Sequence, residues 1–347
     1  MSSTTTTIMI TMTTMINPQD IQALWDNMRA QQTVGVVKRK LQLQSSFIVN
    51  CLYQFPENYC GIALTYSNTI QPNVKKYQQW KTFDVKTFPD RAYPNSSMMM
   101  VLLKSPSKND AFATLCASLI WKIEKASNEQ DAVRLFTNQL EEWRKLFEKT
   151  YQEGLGKGAQ KGLWGEMQML ETLLNKVNGY TQVQIVDWWV GSQKSPQDFQ
   201  GNNWAIEIKA TTKNNDRIVE IHGERQLDET FFDNLYLNRI TLNETPHNGI
   251  SLTKKIEKVK SIVQNDLQAS FLLEMKLAQY GYIESMRALY EMPTYQIRNN
   301  QYFKVEGNFP RIKEGEVRNG VSDIKYSIDL NIVGQFEKQE TDIISNI

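Results

Sequence analysis

The sequence predicts an α/β protein in which a mixed β-sheet flanked by helices follows an N-terminal α+β domain. Residues 46–104 form short β-rich runs separated by turns that contain Pro and Asn, and two amphipathic helical patterns come after them. Beyond residue 154, a helical pattern precedes apolar, β-branched runs separated by further turns. The chain has 347 residues, 41% of them apolar and 22% charged, which suits a globular protein with two domains of ordinary size.

The N-terminal half starts with a Thr- and Met-rich segment, residues 1–16, that we expect to form a disordered tail. Asn17 as N-cap and Pro18 as the first helical residue then predict a helix. The α+β domain, residues 17–153, continues with three predicted strands and two predicted helices. These are Phe47–Tyr53, Gly61–Tyr66, Met98–Leu103, a helix near Asn109–Lys125 and a second helix that carries Val133 to Phe147.

Lysines alternate with aromatic residues between the predicted strands. Such a mixture could hold a phosphate backbone and stack nucleic-acid bases. The alternative is a solvated face with scattered aromatic residues in a half-buried β-region, and we favour it because short patterns of this kind often arise by chance. The residues concerned are Lys75, Lys76, Tyr77, Trp80, Lys81, Phe83, Lys86, Phe88 and Arg91.

Composition argues against several classes of function. With 39 basic and 38 acidic residues the formal net charge is +1, so any contact with DNA must use local patches rather than a global positive field. The three cysteines form no Cys-x-x-Cys pair, and the two histidines give little support to a zinc site or to chemistry built on several histidines. A reduced, cytoplasmic protein is the simplest interpretation, and no run of about 18 apolar residues predicts a membrane span.

A glycine-rich stretch, Gly154–Gly162, marks the predicted boundary between the two domains. It lacks the GxxxxGK[ST] pattern of a phosphate loop, so nucleotide binding has little support. The second domain, residues 154–347, opens with a helix predicted at Leu163–Asn175, whose apolar arc is wide enough to include Glu166 and Glu171. At least one of these carboxylates must approach the core. Either both reach solvent or a lysine, or Glu166 joins the acids of the next strands.

The stretch Pro196–Thr211 sets three catalytically capable side chains into two short strands. The turn signal Gly201–Asn203 lets the strand that carries Asp198 fold back beside the strand that follows. In that second strand the period of two puts Glu207 and Lys209 on one face. Two carboxylates and a lysine at a strand end are suited to metal-assisted cleavage of a phosphodiester.

The predicted order of helix, strand (Thr181–Val190) and acidic hairpin resembles the PD-(D/E)XK nuclease superfamily. Its motifs match Glu166 in the first helix, the Pro-Asp aspartate at Asp198 and the Glu-x-Lys pair at Glu207 and Lys209. In this sequence Gln197 lies between the proline and the aspartate, which departs from the family's pattern. Since the proline shapes only the hairpin, the role of the aspartate is retained.

More narrowly, the chain resembles a bacterial group of PD-(D/E)XK family members found beside phage-defence and restriction genes. Phe309–Ile312 and Ile324–Leu330 look like the closing segment of that group. The resemblance spans about residues 154–330 and implies a restriction-endonuclease-like core. It also implies a Mg²⁺-dependent DNA endonuclease with a restriction-type role in anti-phage defence.

The resemblance further implies a metal site at the hairpin. Mg²⁺ prefers carboxylate, carbonyl and water oxygens, so Asp198, Glu207, the Ile208 carbonyl and, as a further candidate, Glu166 would hold it, with Mn²⁺ as a substitute. Lys209 would orient or deprotonate the attacking water, or stabilise the developing negative charge.

Accessory residues and partners complete the prediction. Gln226 and Arg225 are candidates because a glutamine or basic residue near this position faces the metal site in many relatives. The helical stretch Leu252–Tyr280 carries four lysines that could follow a DNA backbone, Lys254, Lys255, Lys258 and Lys260, and a solvated helix face is an equal alternative. The expected partners are double-stranded DNA, defence proteins such as an ATPase, helicase or methyltransferase, and a second copy in a homodimer. The alternative function is a catalytically silent nuclease-fold subunit that binds DNA or acts as a scaffold in a defence complex.

Overall fold

The computed structural model describes residues 16–77, 80–147, 154–193, 195–212 and 217–347. The predicted N-terminal tail lies almost entirely outside these ranges. The chain divides into two compact units, Met1–Glu148 and Lys149–Ile347. The two units meet along the chain at residues 148 and 149, and the predicted domain boundary lies between residues 153 and 154. Residues 148–153 are not among those that the structure describes.

The N-terminal unit combines an antiparallel sheet with capped helices. Asn17 and Asp20 each accept a hydrogen bond from the other's backbone N–H, and this capping box starts helix α1 (Pro18–Ala30). The strands are β1 (Gly35–Lys40), β2 (Ile48–Phe55), β3 (Tyr59–Ser67), β4 (Phe83–Pro89) and β5 (Ser96–Leu103), followed by α2 (Asn109–Glu124) and α3 (Glu129–Lys145). The strand order is β1-β2-β3-β5-β4, and all neighbours are antiparallel.

Most of the aromatic residues that interleave with lysines belong to the core of this unit. Tyr77, Trp80 and Phe83 are buried. The Phe83 ring centroid lies 5.1 Å from that of Phe147 and 6.3 Å from that of Trp143. The base-stacking interpretation is therefore wrong for these three residues, because their ring faces are used in packing.

A mixed sheet forms the centre of the C-terminal unit. Its strands are β6 (Phe199–Gln200), β7 (Trp204–Thr211), β9 (Asn234–Thr245), β10 (Ile250–Ser251), β11 (Thr294–Lys304) and β13 (Glu337–Lys338), while β8 (Ile218–His222) and β12 (Lys325–Asp329) form a separate pair. The order is β10-β11-β9-β7-β6, with β13 also paired to β11. The β7–β9 pair is parallel and the others are antiparallel, which confirms the predicted mixed α/β fold.

The helices of this unit are α4 (Lys157–Lys176), α5 (Gln182–Asp187), α6 (Leu252–Val263), α7 (Leu267–Tyr280) and α8 (Glu340–Ser345). No helix among the described residues is long and apolar enough to cross a membrane. Helix α4 begins at Lys157, earlier than the predicted Leu163, so much of the glycine-rich stretch is helical. A Cβ atom added at Gly165 would lie 2.9 Å from Ala210 Cβ. This glycine therefore allows close packing of α4 on β7.

The strand predicted at Thr181–Val190 is wrong, because α5 occupies most of this range. The Thr181 side chain accepts from Gln184 N, and the Gln184 side chain accepts from Thr181 N, which closes a capping box. Ile185 and Val186 are buried in the helix. The cap and this packing outweigh the strand preference of the β-branched residues.

Candidate active site

The start of β6 and the middle of β7 place a carboxylate beside the backbone. Asp198 N donates to Ile206 O at 3.2 Å, and Ile208 N donates to Asp198 Oδ2 at 2.8 Å. The N–H and C=O groups of one strand residue point to the same edge of the strand. The Ile208 carbonyl therefore faces the side on which Asp198 lies.

Glu207 and Lys209 lie on the same face of β7. Lys209 Nζ donates to Glu207 Oε1 at 2.5 Å and to Gln226 Oε1 at 2.8 Å. The Glu207 side chain is 2% exposed, and its Oε2 atom has no hydrogen-bond partner among the described residues. A buried carboxylate oxygen without a donor is costly. This atom is therefore a place where a cation or a donor would strongly stabilise the protein.

Glu166 reaches the same place from α4, because Gly165 brings this helix close to β7. It is buried, and Trp189 Nε1 donates to its Oε2 at 2.6 Å. The Tyr280 hydroxyl lies near the same carboxyl group and donates to the Ala159 carbonyl at 3.4 Å. Of the two glutamates in the apolar arc of α4, Glu166 is the one that turns toward Asp198 and Glu207.

Gly191 lies against two of these acids. A Cβ atom added there would be 2.6 Å from Glu166 Oε2 and 2.9 Å from Asp198 Oδ1. Both carboxylates thus fit beside the same backbone carbon because the residue is a glycine. We call Glu166, Asp198, Glu207 and Lys209 the acid-rich cluster.

Burial raises the pKa of each carboxyl in the acid-rich cluster, because an ionised carboxylate loses its hydration there. The pKa of Asp198 rises to about 6, where a backbone N–H and the nearby lysine limit the shift. The pKa of Glu207 rises to about 8, since the charge of Asp198 adds to the effect of burial. Burial and Asp198 also hold the pKa of Glu166 well above its ordinary value, against the hydrogen bond from Trp189. In the fully ionised cluster three carboxylates face one ammonium, an imbalance that a divalent cation would neutralise.

The two accessory candidates, Gln226 and Arg225, have different contacts in the structure. Gln226 contacts the acid-rich cluster through its hydrogen bond to Lys209. The Arg225 side chain instead forms an exposed ion pair with Glu314. The Gln197 side chain donates to the Arg225 carbonyl at 2.6 Å and so ties this loop to the hairpin. The residue that departs from the Pro-Asp pattern therefore helps to place Gln226.

A contrasting cluster surrounds the second glutamate of α4. Lys255 Nζ donates to Glu171 Oε2 and to Gln168 Oε1, both at 2.7 Å. It also lies 4.6 Å from the centroid of the Trp164 ring. Lys258 Nζ is 3.6 Å from Glu171 Oε1. We call Gln168, Glu171, Lys255 and Lys258 the lysine-rich cluster; two of the lysines considered for DNA contact are thus paired within the protein.

The acid-rich cluster fits a hard cation through two carboxylates and a carbonyl rather than through three acidic side chains. Within the described ranges, no three His, Cys, Asp or Glu side chains are arranged to hold one metal ion. Asp198, Glu207 and the Ile208 carbonyl form the remaining donor set, which is of the kind that Mg²⁺ prefers. Glu166 lies beside this set, held by Trp189.

One family model covers residues 21–331, which include parts of both units. Its description reads "Putative PD-(D/E)XK family member" (DUF4420). The chain belongs to this family. The match starts within α1, so the PD-(D/E)XK family pattern includes the N-terminal unit, whereas the resemblance seen in the sequence covered about residues 154–330. No curated protein and no solved structure matches the chain.

Membership in the PD-(D/E)XK family accounts for the nuclease-type α/β fold, and nucleases of this type generally use divalent metal ions. Three residues that build the site were absent from the sequence candidates: Trp189, Gly191 and Tyr280. A glycine directly after an apolar run and just before the acidic hairpin was the available signal for Gly191. Tyr280 had no such signal, because its contact with Glu166 joins distant parts of the chain.

Proposed function

We propose that this chain is a Mg²⁺-dependent endonuclease that cleaves phosphodiester bonds of double-stranded DNA in bacterial defence against phage. The observation that carries the proposal is the buried Oε2 atom of Glu207, which lacks a partner among the described residues and belongs to a carboxylate bound by Lys209. Membership in the PD-(D/E)XK family supports the same chemistry.

Asp198, Glu207 and the Ile208 carbonyl would hold Mg²⁺ or Mn²⁺, and Glu166 would add negative charge beside Asp198. The bound ion supplies positive charge near the scissile phosphate and makes the attacking water more acidic. The Ile208 amide holds Asp198 Oδ2 in place, so this carboxylate needs little reorganisation during binding.

Lys209 would act on the water and the phosphate. An ammonium group has three N–H donors, and in the described structure two are directed to Glu207 and Gln226. A third donor can bind the attacking water or a phosphate oxygen. Lys209 would thereby orient the water and stabilise negative charge as the water oxygen bonds to phosphorus and the sugar oxygen leaves.

The test is cleavage of plasmid and phage DNA in Mg²⁺ or Mn²⁺, by the protein alone and with the proteins of neighbouring genes. Asp198→Ala and Lys209→Ala should each lower the cleavage rate by at least about 100-fold. Lys258→Ala removes an exposed lysine elsewhere in the same unit and should leave the rate within about twofold. Equal cleavage by the wild type and by Lys209→Ala would contradict the proposal.

Calorimetric titration with Mg²⁺ distinguishes the nuclease from a catalytically silent scaffold. The nuclease should bind Mg²⁺ through the acid-rich cluster, so Glu207→Ala should abolish the binding heat. A wild-type protein that binds DNA without any Mg²⁺ binding at this site would instead be a scaffold or DNA-binding subunit.

If the role is of the restriction type, we also propose a homodimer and partner proteins. Cutting both strands with one active site per chain favours a homodimer, and an ATPase, helicase or methyltransferase would select the target DNA. A phage plaque assay in cells that carry the complete gene neighbourhood tests this role. Protection that persists with Asp198→Ala would separate defence from DNA cleavage by this chain.

A further inference from the structure

One short segment, residues 187–191, touches two acids of the acid-rich cluster, and we call it the bridging segment. The N–H groups of Val190 and Gly191 donate to Asp198 O at 2.8 and 2.9 Å. The indole of Trp189 donates to Glu166 at 2.6 Å. The position of this segment therefore sets how Glu166 and Asp198 lie relative to each other.

Lys276 of α7 binds backbone carbonyls of the bridging segment. Its side chain is 3% exposed, and Nζ donates to the carbonyl oxygens of Asp187 at 2.6 Å and Trp189 at 2.7 Å. The nearest carboxylate oxygen with which it pairs, Asp187 Oδ1, is 3.3 Å away on a largely exposed side chain. Burial lowers the pKa of Lys276 to about 8, because the ammonium loses its hydration there. An apolar residue would avoid this cost but could not bind the two carbonyls.

A second residue of α7 acts on the same assembly. Tyr280 follows Lys276 by four positions, so both side chains lie on one face of the helix. The Tyr280 ring stacks on Trp189 with centroids 6.1 Å apart and planes at 27°, and its hydroxyl lies near the Glu166 carboxyl group. Helix α7 thus contacts the backbone of the bridging segment and the indole, and it lies near the carboxyl group that the indole binds.

We propose that Lys276 is a positioning residue of the acid-rich cluster. By binding the carbonyls of Asp187 and Trp189, it fixes the Trp189 indole on Glu166 and keeps Glu166 beside Asp198. Its importance for metal binding rests on the proposed function, whereas its effect on the indole does not.

The structural arm of the test uses protein labelled with ¹⁵N in tryptophan, without metal. The chain has eight tryptophans, and the signal missing in Trp189→Phe identifies the indole of Trp189. Lys276→Met should move this signal upfield, because the hydrogen bond from the indole to Glu166 lengthens. Lys276→Arg keeps donors for the two carbonyls, so its Trp189 signal should lie at the wild-type position. Lys255→Met is the matched control, since Lys255 is also buried and donates two hydrogen bonds, but in the lysine-rich cluster. It should leave the Trp189 signal in place.

A folded Lys276→Met protein with an unchanged Trp189 signal would overturn the proposal. If Lys276→Met does not fold, Lys276→Gln gives the same decision, because its amide is polar enough to be tolerated but its shorter side chain cannot reach both carbonyls, so the Trp189 signal should again move. An unshifted Trp189 signal in folded Lys276→Gln would then overturn it.

The functional arm measures Mn²⁺ affinity by calorimetry. Lys276→Met should weaken it about tenfold, the usual effect of losing a group that orients a metal ligand, and Lys255→Met should leave it unchanged. Equal weakening by both variants would indicate a general loss of structure and would overturn the positioning role. If the wild type neither binds Mn²⁺ nor cleaves DNA, the proposed function fails, while the Trp189 signal still decides whether Lys276 positions Glu166.

Discussion

Helix α4 carries two glutamates that meet opposite surroundings. Glu171 lies in the lysine-rich cluster, where Lys255 and Lys258 supply positive charge for one carboxylate. Glu166 lies in the acid-rich cluster, where three carboxylates share one lysine. In the first cluster the protein itself supplies enough positive charge for the carboxylate, whereas the second reaches neutrality only when positive charge is added. Excess negative charge in a buried place thus separates a candidate functional site from a structural ion pair more clearly than burial alone.

The largest effect should follow from removing the buried lysine of the lysine-rich cluster. Lys255→Met leaves Glu171 and Gln168 without their buried donor and should lower the free energy of unfolding by about 3 to 5 kcal/mol. Lys258→Met removes an exposed partner and should cost less than about 1 kcal/mol. Urea denaturation measures both values. A Lys255→Met protein as stable as the wild type would mean that the lysine-rich cluster contributes no net stability.

Two glycine substitutions test whether cleavage depends on the close approach of the carboxylates in the acid-rich cluster. Gly191→Ala puts a methyl group against Glu166 and Asp198 and should lower the DNA cleavage rate by about 100-fold, because displaced ligands no longer meet the substrate correctly. Gly158→Ala is the control, since a Cβ atom there meets nothing within 4 Å and α4 gains a better helix former. It should keep the wild-type rate. Similar rates for the two variants would show that the contact with Gly191 is unimportant.

The pH dependence of stability tests the raised pKa values of the acid-rich cluster. Because folding raises the pKa of Asp198 to about 6 and of Glu207 to about 8, the folded protein binds protons more tightly than the unfolded chain. This contribution to stability is complete below about pH 4 and is lost as the pH rises through those values. Glu207→Gln stays uncharged, so its stability relative to the wild type should rise by roughly 1 to 3 kcal/mol between about pH 5.5 and pH 8.5.

Denaturation without metal at these two pH values measures the change. Glu171→Gln is the control, because it removes the partner of Lys255 and should be less stable than the wild type at both pH values. A constant difference between Glu207→Gln and the wild type would show that ionised Glu207 is not destabilised in the folded protein.

The sequence predicted those parts of the fold and site that follow from local periodicity. Trp204–Thr211 is the strand expected from its alternation, and the turn at Gly201–Asn203 brings Asp198 to it. The wide apolar arc of α4 showed that a glutamate must turn inward. It could not show which one, because the partner lysine of Glu171 comes from α6, far along the chain.

Other parts depend on contacts that no local pattern encodes. Thr181–Val190 has the composition of a strand, yet a capping box and burial make most of it α5. The glycines of Gly154–Gly162 suggested a break, yet α4 begins at Lys157 and includes Gly158 and Gly162. In both cases the deciding term is packing against elements whose position the local sequence does not reveal.

Gly191 also gives a criterion for sorting members of the family. Its contact with Glu166 and Asp198 leaves no room for a side chain, although the residue itself carries no reactive group. A homologue that keeps all three acids and the lysine but has a larger residue at this position would lack the space in which the acids meet. Such a chain would retain the motif without the arrangement of acids that the proposed cleavage needs, so the bridging segment should be compared before an intact motif is taken as evidence of cleavage.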